Sequence, residues 1–349
     1  MPRLLLLLGS TLMTLLAAEL LFRAFDLRGY HDRRRERGLQ GALLRDEKKR
    51  VPGVKVQYRP YAQFAHVYDG DPRGYFDADH SLTYRLNRHG FRGADWERAP
   101  APGVRRIVLL GDSFAFGEGV RVEHTLGARL QESVNEDSGT ATEVLTLAAG
   151  GWGTRDEINY LERAGIGFEP DLVIVVYVLN DAEYAGGLDL WGRFRQQYEN
   201  RRLQSSYLAS YVYAGFARRR LARAYIDDLV VRSRKQRGDW AASFGDLARG
   251  RRIAESAGAR FAVAIFPFLY ELDAGYPFRP LHEMVAQFCT WNGIRVIDLF
   301  DAFEGHSDTD LWVHPSDQHP NEDGHRIAAD ALADFIRREH LLPDAPNDG

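Results

Sequence analysis

Apolar runs at 104–110, 143–148, 171–179, 260–266 and 294–299 alternate with longer segments in which apolar residues recur at helical spacing. The runs are continuous and rich in Val, Ile and Leu. They lack the in-out alternation of a sheet with one wet face, so they fit parallel strands covered on both sides. The pattern predicts an α/β fold, a three-layer α/β/α sandwich with about five parallel strands joined by right-handed crossovers.

The flanking regions are patterned differently. Leu4 to Ala18 carries no charge, and Glu19 is followed by another apolar stretch, Leu20-Leu21-Phe22. A membrane span needs ~20 apolar residues, so residues 1–25 read as a signal anchor or a signal peptide, the anchor being preferred because Glu19 and Leu20 follow the small pair Ala17-Ala18. Arg23, Arg28, Arg33, Arg34, Arg35 and Arg37 follow the run, a bias that by itself keeps that side cytoplasmic. Long domains cross largely regardless of such bias, and a membrane-anchored, extracytoplasmic domain (periplasmic in a bacterium) is expected.

Residues 26–100 are expected to form a stalk and accessory strands. Residues 23–55 are charged and read as a solvated helix or stalk, whereas 56–100 carry Tyr58, Tyr61, Phe64, Tyr68, Tyr75, Phe76 and Tyr84. Pro100, Pro102 and Gly103 mark the start of the main domain, 101–340. Between the third and fourth runs, roughly 183–250 is longer than a crossover requires. Its aromatics, Arg218-Arg219-Arg220 and the basic stretch 232–237 read as a helical lid that touches membrane or polymer, or as ordinary helix packing with a solvated basic face.

Composition narrows the classes. With 349 residues, 45% hydrophobic and 12% aromatic, the chain can bury a large core and is not disordered. Lys+Arg number 45 against 49 Asp+Glu, a net charge of −4 that gives no reason to expect nucleic acid. The lone cysteine, Cys289, excludes an internal disulfide and a multi-cysteine metal site.

The chemistry is concentrated just beyond the strands. Gly111-Asp112-Ser113-Phe114 follows the first run and presents a hydroxyl where ligands bind in an open parallel sheet. Asp317-Gln318-His319-Pro320 supplies a base, His319, and an acid to orient it, Asp317. Gly150-Gly151-Trp152-Gly153-Thr154 follows the second run and Asn180-Asp181 the third. Ser113 N–H, Gly151 N–H and the Asn180 side-chain amide make a candidate oxyanion hole, in which losing one donor costs ~10²–10³ in turnover. Trp152 is a candidate for lining the acyl or sugar site, or else a core aromatic. Asp181 is a candidate substrate contact or, alternatively, a brace for the loop of Asn180. Asp112 and Asp298 read as structural acids, and His325 as a packing or capping residue. His124, His314 and His325 have no accompanying carboxylates or thiolates at ligand spacing, so neither metal nor cofactor is expected.

These four blocks, in this order over about 104–335, resemble the SGNH (GDSL-like) hydrolase superfamily. The resemblance implies a flavodoxin-like fold and metal-independent esterase, lipase, carbohydrate-deacetylase or acyltransferase chemistry on a small-molecule or carbohydrate ester. The common last block places the acid three residues before the histidine, where this chain has Ser316; Asp317 stands two before. That shorter spacing is similar to the branch containing alginate O-acetylation proteins of the bacterial periplasm. Three functions follow as expectations: an esterase working through an acyl-serine, a polysaccharide O-acetyltransferase using the same intermediate, and a non-catalytic binding module on the same fold.

Overall fold

The computed structural model describes residues 2–25, 35–136, 139–182, 205–213, 237–315 and 317–343. The chain divides into two compact units, one of residues 1–33 and 186–232, the other of residues 34–185 and 233–349.

Among the described residues, three sheets build the larger unit. Strands β1 (Arg35–Arg37), β2 (Gln63–Val67) and β3 (Ser81–Arg85) form an antiparallel accessory sheet in that order. Strands β4 (Arg105–Gly111), β5 (Thr142–Ala148), β6 (Leu172–Tyr177), β7 (Arg260–Ile265) and β8 (Arg295–Asp298) form a parallel sheet in the order β5-β4-β6-β7-β8. A short antiparallel pair, β9 (Trp312–His314) and β10 (Asp317–Pro320), completes the set.

The five parallel strands coincide with the five apolar runs. Every residue of β6 is buried, as are Arg106 to Gly111 of β4, which is why these segments show no alternation. Full burial of each Val, Leu or Ile side chain contributes about 1.5–3 kcal/mol, so the sheet is the principal apolar core. Helices 126–136 and 322–338 pack together on one face. On the other, helix 154–163 packs on helix 237–256, and Phe244 stacks on Phe288 of helix 279–291 at 4.3 Å between ring centroids. The strand order is doubly wound and reverses direction at β4, placing a crevice outside the carboxyl ends of β4 and β6.

One flanking region departs from the sequence reading, and part of the insertion follows its helix-packing alternative. Arg35–Arg37 does not belong to a solvated stalk but pairs with β2, and Ala42 and Val54 nearby are buried. An edge strand pairs through its backbone and keeps its charged side chains in water, so hydropathy does not reveal it. In the 183–250 insertion, helix Arg237–Ser256 is part of the core layer, with Trp240 and Leu247 buried. Residues 183–204 and 214–236, with Arg218-Arg219-Arg220, lie outside the described residues.

In the smaller unit, helix Pro2–Ala24 is apolar around its whole circumference. Its Leu5–Ala24 stretch has a mean hydropathy of 2.0, none of it buried, and is long and apolar enough to cross a membrane. Glu19 is its one acidic residue. The carboxylate accepts from Ser206 Oγ at 2.8 Å and from the backbone N–H groups of Tyr207 and Leu208 at 3.0 Å. It thereby caps the helical segment 207–213. Arg23 Nε donates to the same carboxylate at 2.8 Å, and Phe22 meets Tyr211 edge to face.

Candidate active site

Ser113 begins a single helical turn, Ser113–Phe116, directly after β4. The turn is tight: a Cβ on Gly111 would stand 2.6 Å from the Ala115 Cβ, so only glycine fits there. Asp112 caps it, its Oδ1 accepting from Phe114 N–H at 2.8 Å. The Asp112 Oδ2 accepts from Asn180 Nδ2 at 3.0 Å, which ties the turn after β4 to the turn after β6. Burial raises the Asp112 carboxyl above its ordinary pKa, opposed by the hydrogen bonds from Asn180 and Phe114.

His319 reaches Ser113 from β10. Its Nε2 lies 2.9 Å from Ser113 Oγ, and its Nδ1 lies 2.5 Å from Asp317 Oδ1. The two-residue spacing works because these residues lie on an extended strand, where positions i and i+2 point to the same side. A three-residue spacing would need a turn between acid and base. The Phe114 ring packs on the imidazole at 5.4 Å between centroids. Asp317 is buried, whereas Ser113 and His319 are half-buried at the rim of the sheet.

Gly151 takes a left-handed backbone, φ +79°, with open space where a side chain would project. The structure thus links Ser113, His319 and Asp317 in one hydrogen-bonded constellation, ties Asn180 to Asp112 beside the serine, and leaves the Gly151 face open.

Trp152 and Asp181 do not join it. Trp152 is buried, donates its indole N–H to the Val56 carbonyl at 2.7 Å and packs against Phe91 and Tyr160, so it is a core aromatic and no lining residue. Asp181 is fully buried, and its Oδ2 accepts from Val178 N–H at 2.9 Å, bracing the turn that carries Asn180. Its pKa is raised well above normal, first by burial and then by the Glu157 and Asp112 carboxyls. Glu157 is equally buried, with both carboxyl oxygens unpartnered among the described residues and its pKa also raised, first by burial. Among the described residues, no group of three or more His, Cys, Asp or Glu is placed to hold a metal ion.

A sequence model of the GDSL-like lipase/acylhydrolase family matches residues 109–327, well over half of the chain. The chain belongs to that family.

Solved structures similar to this GDSL-like hydrolase include TesA, at 13% identity and TM-score 0.44, covering 67% of this chain and 99% of that one. The psychrotrophic esterase EstA from Pseudoalteromonas sp. is 15% identical with TM-score 0.41, covering 68% and 98%. A lipase/acylhydrolase from Enterococcus faecalis is 15% identical with TM-score 0.42, covering 69% and 100%. No curated protein matches the chain. Family membership makes the chain an ester hydrolase in general terms.

Several residues of this hydrolase that touch the constellation or hold the loop beside it escaped the sequence reading. Tyr68, just beyond β2, donates its hydroxyl to Asp317 Oδ2 at 3.0 Å. Tyr84 of β3 accepts from Gly119 N–H at 2.8 Å. The buried Arg92 guanidinium donates to the Phe116, Gly117 and Val120 carbonyls at 3.0, 2.6 and 2.8 Å. Glu118, in the loop these residues hold, brings Oε2 to 3.6 Å from His319 Nε2. The aromatic rhythm of 56–100 was the one available signal, and it spoke only of packing.

Proposed function

We propose that this chain is a serine esterase that cleaves an acyl or acetyl ester through an acyl-Ser113 intermediate. The observation that carries the reading is the continuous relay from Ser113 Oγ through His319 to Asp317, at 2.9 and 2.5 Å. His319 Nε2 takes the hydroxyl proton as Ser113 Oγ attacks the ester carbonyl, while Asp317 holds the imidazole tautomer and stabilises the imidazolium. Ser113 N–H, Gly151 N–H and the second N–H of Asn180 Nδ2 are the donors for the tetrahedral oxyanion. Collapse expels the alcohol with the proton held on His319, and water then repeats the sequence in reverse. With helix Pro2–Ala24 read as an uncleaved anchor, the esterase is tethered to a membrane, and the extracytoplasmic side is preferred because long domains cross largely regardless of flanking positive charge.

A second reading keeps the acyl-enzyme and hands the group to a sugar hydroxyl. The Asp317-Gln318-His319 spacing favours it through its resemblance to the branch containing alginate O-acetylation proteins. The test is a panel of p-nitrophenyl esters from acetyl to palmitoyl, with fluorophosphonate labelling of wild type and Ser113→Ala. Hydrolysis and labelling by wild type alone are expected; a folded wild type that neither labels nor hydrolyses any ester sinks the reading. Product appearing only when a sugar acceptor is supplied would favour the transferase.

A further inference from the structure

Glu118 places a carboxylate beside the reacting groups, where the triad has no use for it. It sits two residues beyond the nucleophile turn, with its side chain largely covered. Its Oε2 lies 3.6 Å from His319 Nε2, the nitrogen that also meets Ser113 Oγ. On the other side, a Cβ on Gly150 would stand 2.7 Å from Glu118 Oε1, so the carboxyl abuts the loop that carries Gly151. A negative charge there opposes an oxyanion unless it serves something that donates hydrogen bonds. In an ester reaction the donor at this place is the attacking nucleophile, which must lie within reach of His319 Nε2.

Resting on the acyl-enzyme reading above, we infer that Glu118 is a catalytic residue of the deacylation step, holding the attacking water. In that step the water oxygen bonds to the acyl carbon as one water proton passes to His319 Nε2. The C–Oγ bond then breaks, and that proton moves on to Ser113 Oγ. The other water hydrogen donates to Glu118 Oε2 throughout and leaves on the product acid. A water has two hydrogens to place, and His319 with Glu118 receives both. During acylation the alkoxy oxygen of a simple ester occupies the same place and brings no hydrogen for Glu118 to accept. The role is therefore confined to one half of the cycle.

The experiment uses the full chain and p-nitrophenyl acetate. Rapid mixing reads acylation from nitrophenolate release, and intact mass reads the decay of acetyl-Ser113 after excess substrate is removed. In Glu118→Ala the acetyl-enzyme half-life is expected to lengthen by ~10–100-fold, the scale of losing a positioned reactant, with acylation within about 3-fold of wild type. Glu118→Gln keeps an acceptor oxygen without the charge, and is expected to lengthen it by about 3–10-fold, charge-assisted bonds being roughly twice as strong. Should Glu118→Ala fail to fold, Glu118→Gln decides alone. Unchanged decay in the folded variants, or acylation and deacylation slowed in parallel, overturns the inference. A wild type that forms no acetyl-Ser113 and takes no fluorophosphonate overturns the acyl-enzyme reading and this inference with it. A wild type that forms it while Glu118→Ala decays at the same rate overturns only the inference.

Discussion

Two regions of the larger unit converge on Ser113 by different physics. The β4 end is a backbone construction, in which Gly111 permits a close approach, Asp112 caps a one-turn helix and strand register sets the height of the serine. The accessory layer works through side chains, with Arg92 spanning three carbonyls of the following loop, Tyr84 receiving Gly119 N–H and Tyr68 bonded to Asp317. On the proposed reading the first region carries the nucleophile, and the second holds the loop that follows it. Chemistry and support can therefore be broken separately.

Ser113→Ala is the largest perturbation on the chemical side. Turnover should fall by ~10³-fold or more, with the denaturant midpoint within error of wild type. A retained tenth of the activity would move the nucleophile elsewhere. Arg92→Leu probes the support. Three loop carbonyls lose a charged, buried donor, and equilibrium unfolding should show a loss of about 3 kcal/mol. An unchanged midpoint would mean that the loop holds itself.

Two buried groups set opposite pH slopes. His325 is fully buried with both ring nitrogens unpartnered among the described residues, and burial, aided by the charge of Arg92, lowers its pKa to about 3. The unfolded chain takes up this proton near pH 6.5 and the native protein does not, so stability is lost as pH falls. From pH 6.5 to 5 the loss is about 2 kcal/mol, and His325→Leu should abolish it in urea titrations at both pH values. Glu157 acts in the other direction. Its raised pKa means that stability is full below the unfolded value near pH 4 and declines as pH rises. Glu157→Gln should therefore gain about 1 kcal/mol at pH 8 and nothing near pH 4. A gain at both would point to packing in place of ionisation. The smallest effect joins the two regions: Tyr68→Phe removes one hydrogen bond to Asp317 and should lower kcat about 5-fold with KM unchanged.

The sequence made one side of this comparison legible and hid the other. Continuous apolar runs announce a sheet buried on both faces, and Gly111-Asp112-Ser113 at a strand end is a local signal, complete within a few residues. Tyr68 and Asp317 are separated by 249 positions, and a hydroxyl that meets a carboxylate across that distance leaves no periodic trace. Glu118 lies in a glycine-broken stretch where a charged residue ordinarily means solvent exposure. Trp152 was ambiguous for the same reason, since an aromatic beside a glycine loop suits a core and a binding site equally. Arg35–Arg37 was misread because a paired backbone carries no hydropathy.

The register of the parallel sheet has a consequence for how this protein tolerates change. Gly111 is level with Ala148 on one side and Val176 on the other, so Ser113, Gly151 and Asn180 emerge from three adjoining strands that finish together. One residue added within β5 or β6 would advance the following loop by about 3.3 Å and invert its facing, carrying Gly151 or Asn180 away from Ser113. A residue added at the far end of a strand or in a helical return leaves the distance from each buried segment to its polar tip unchanged.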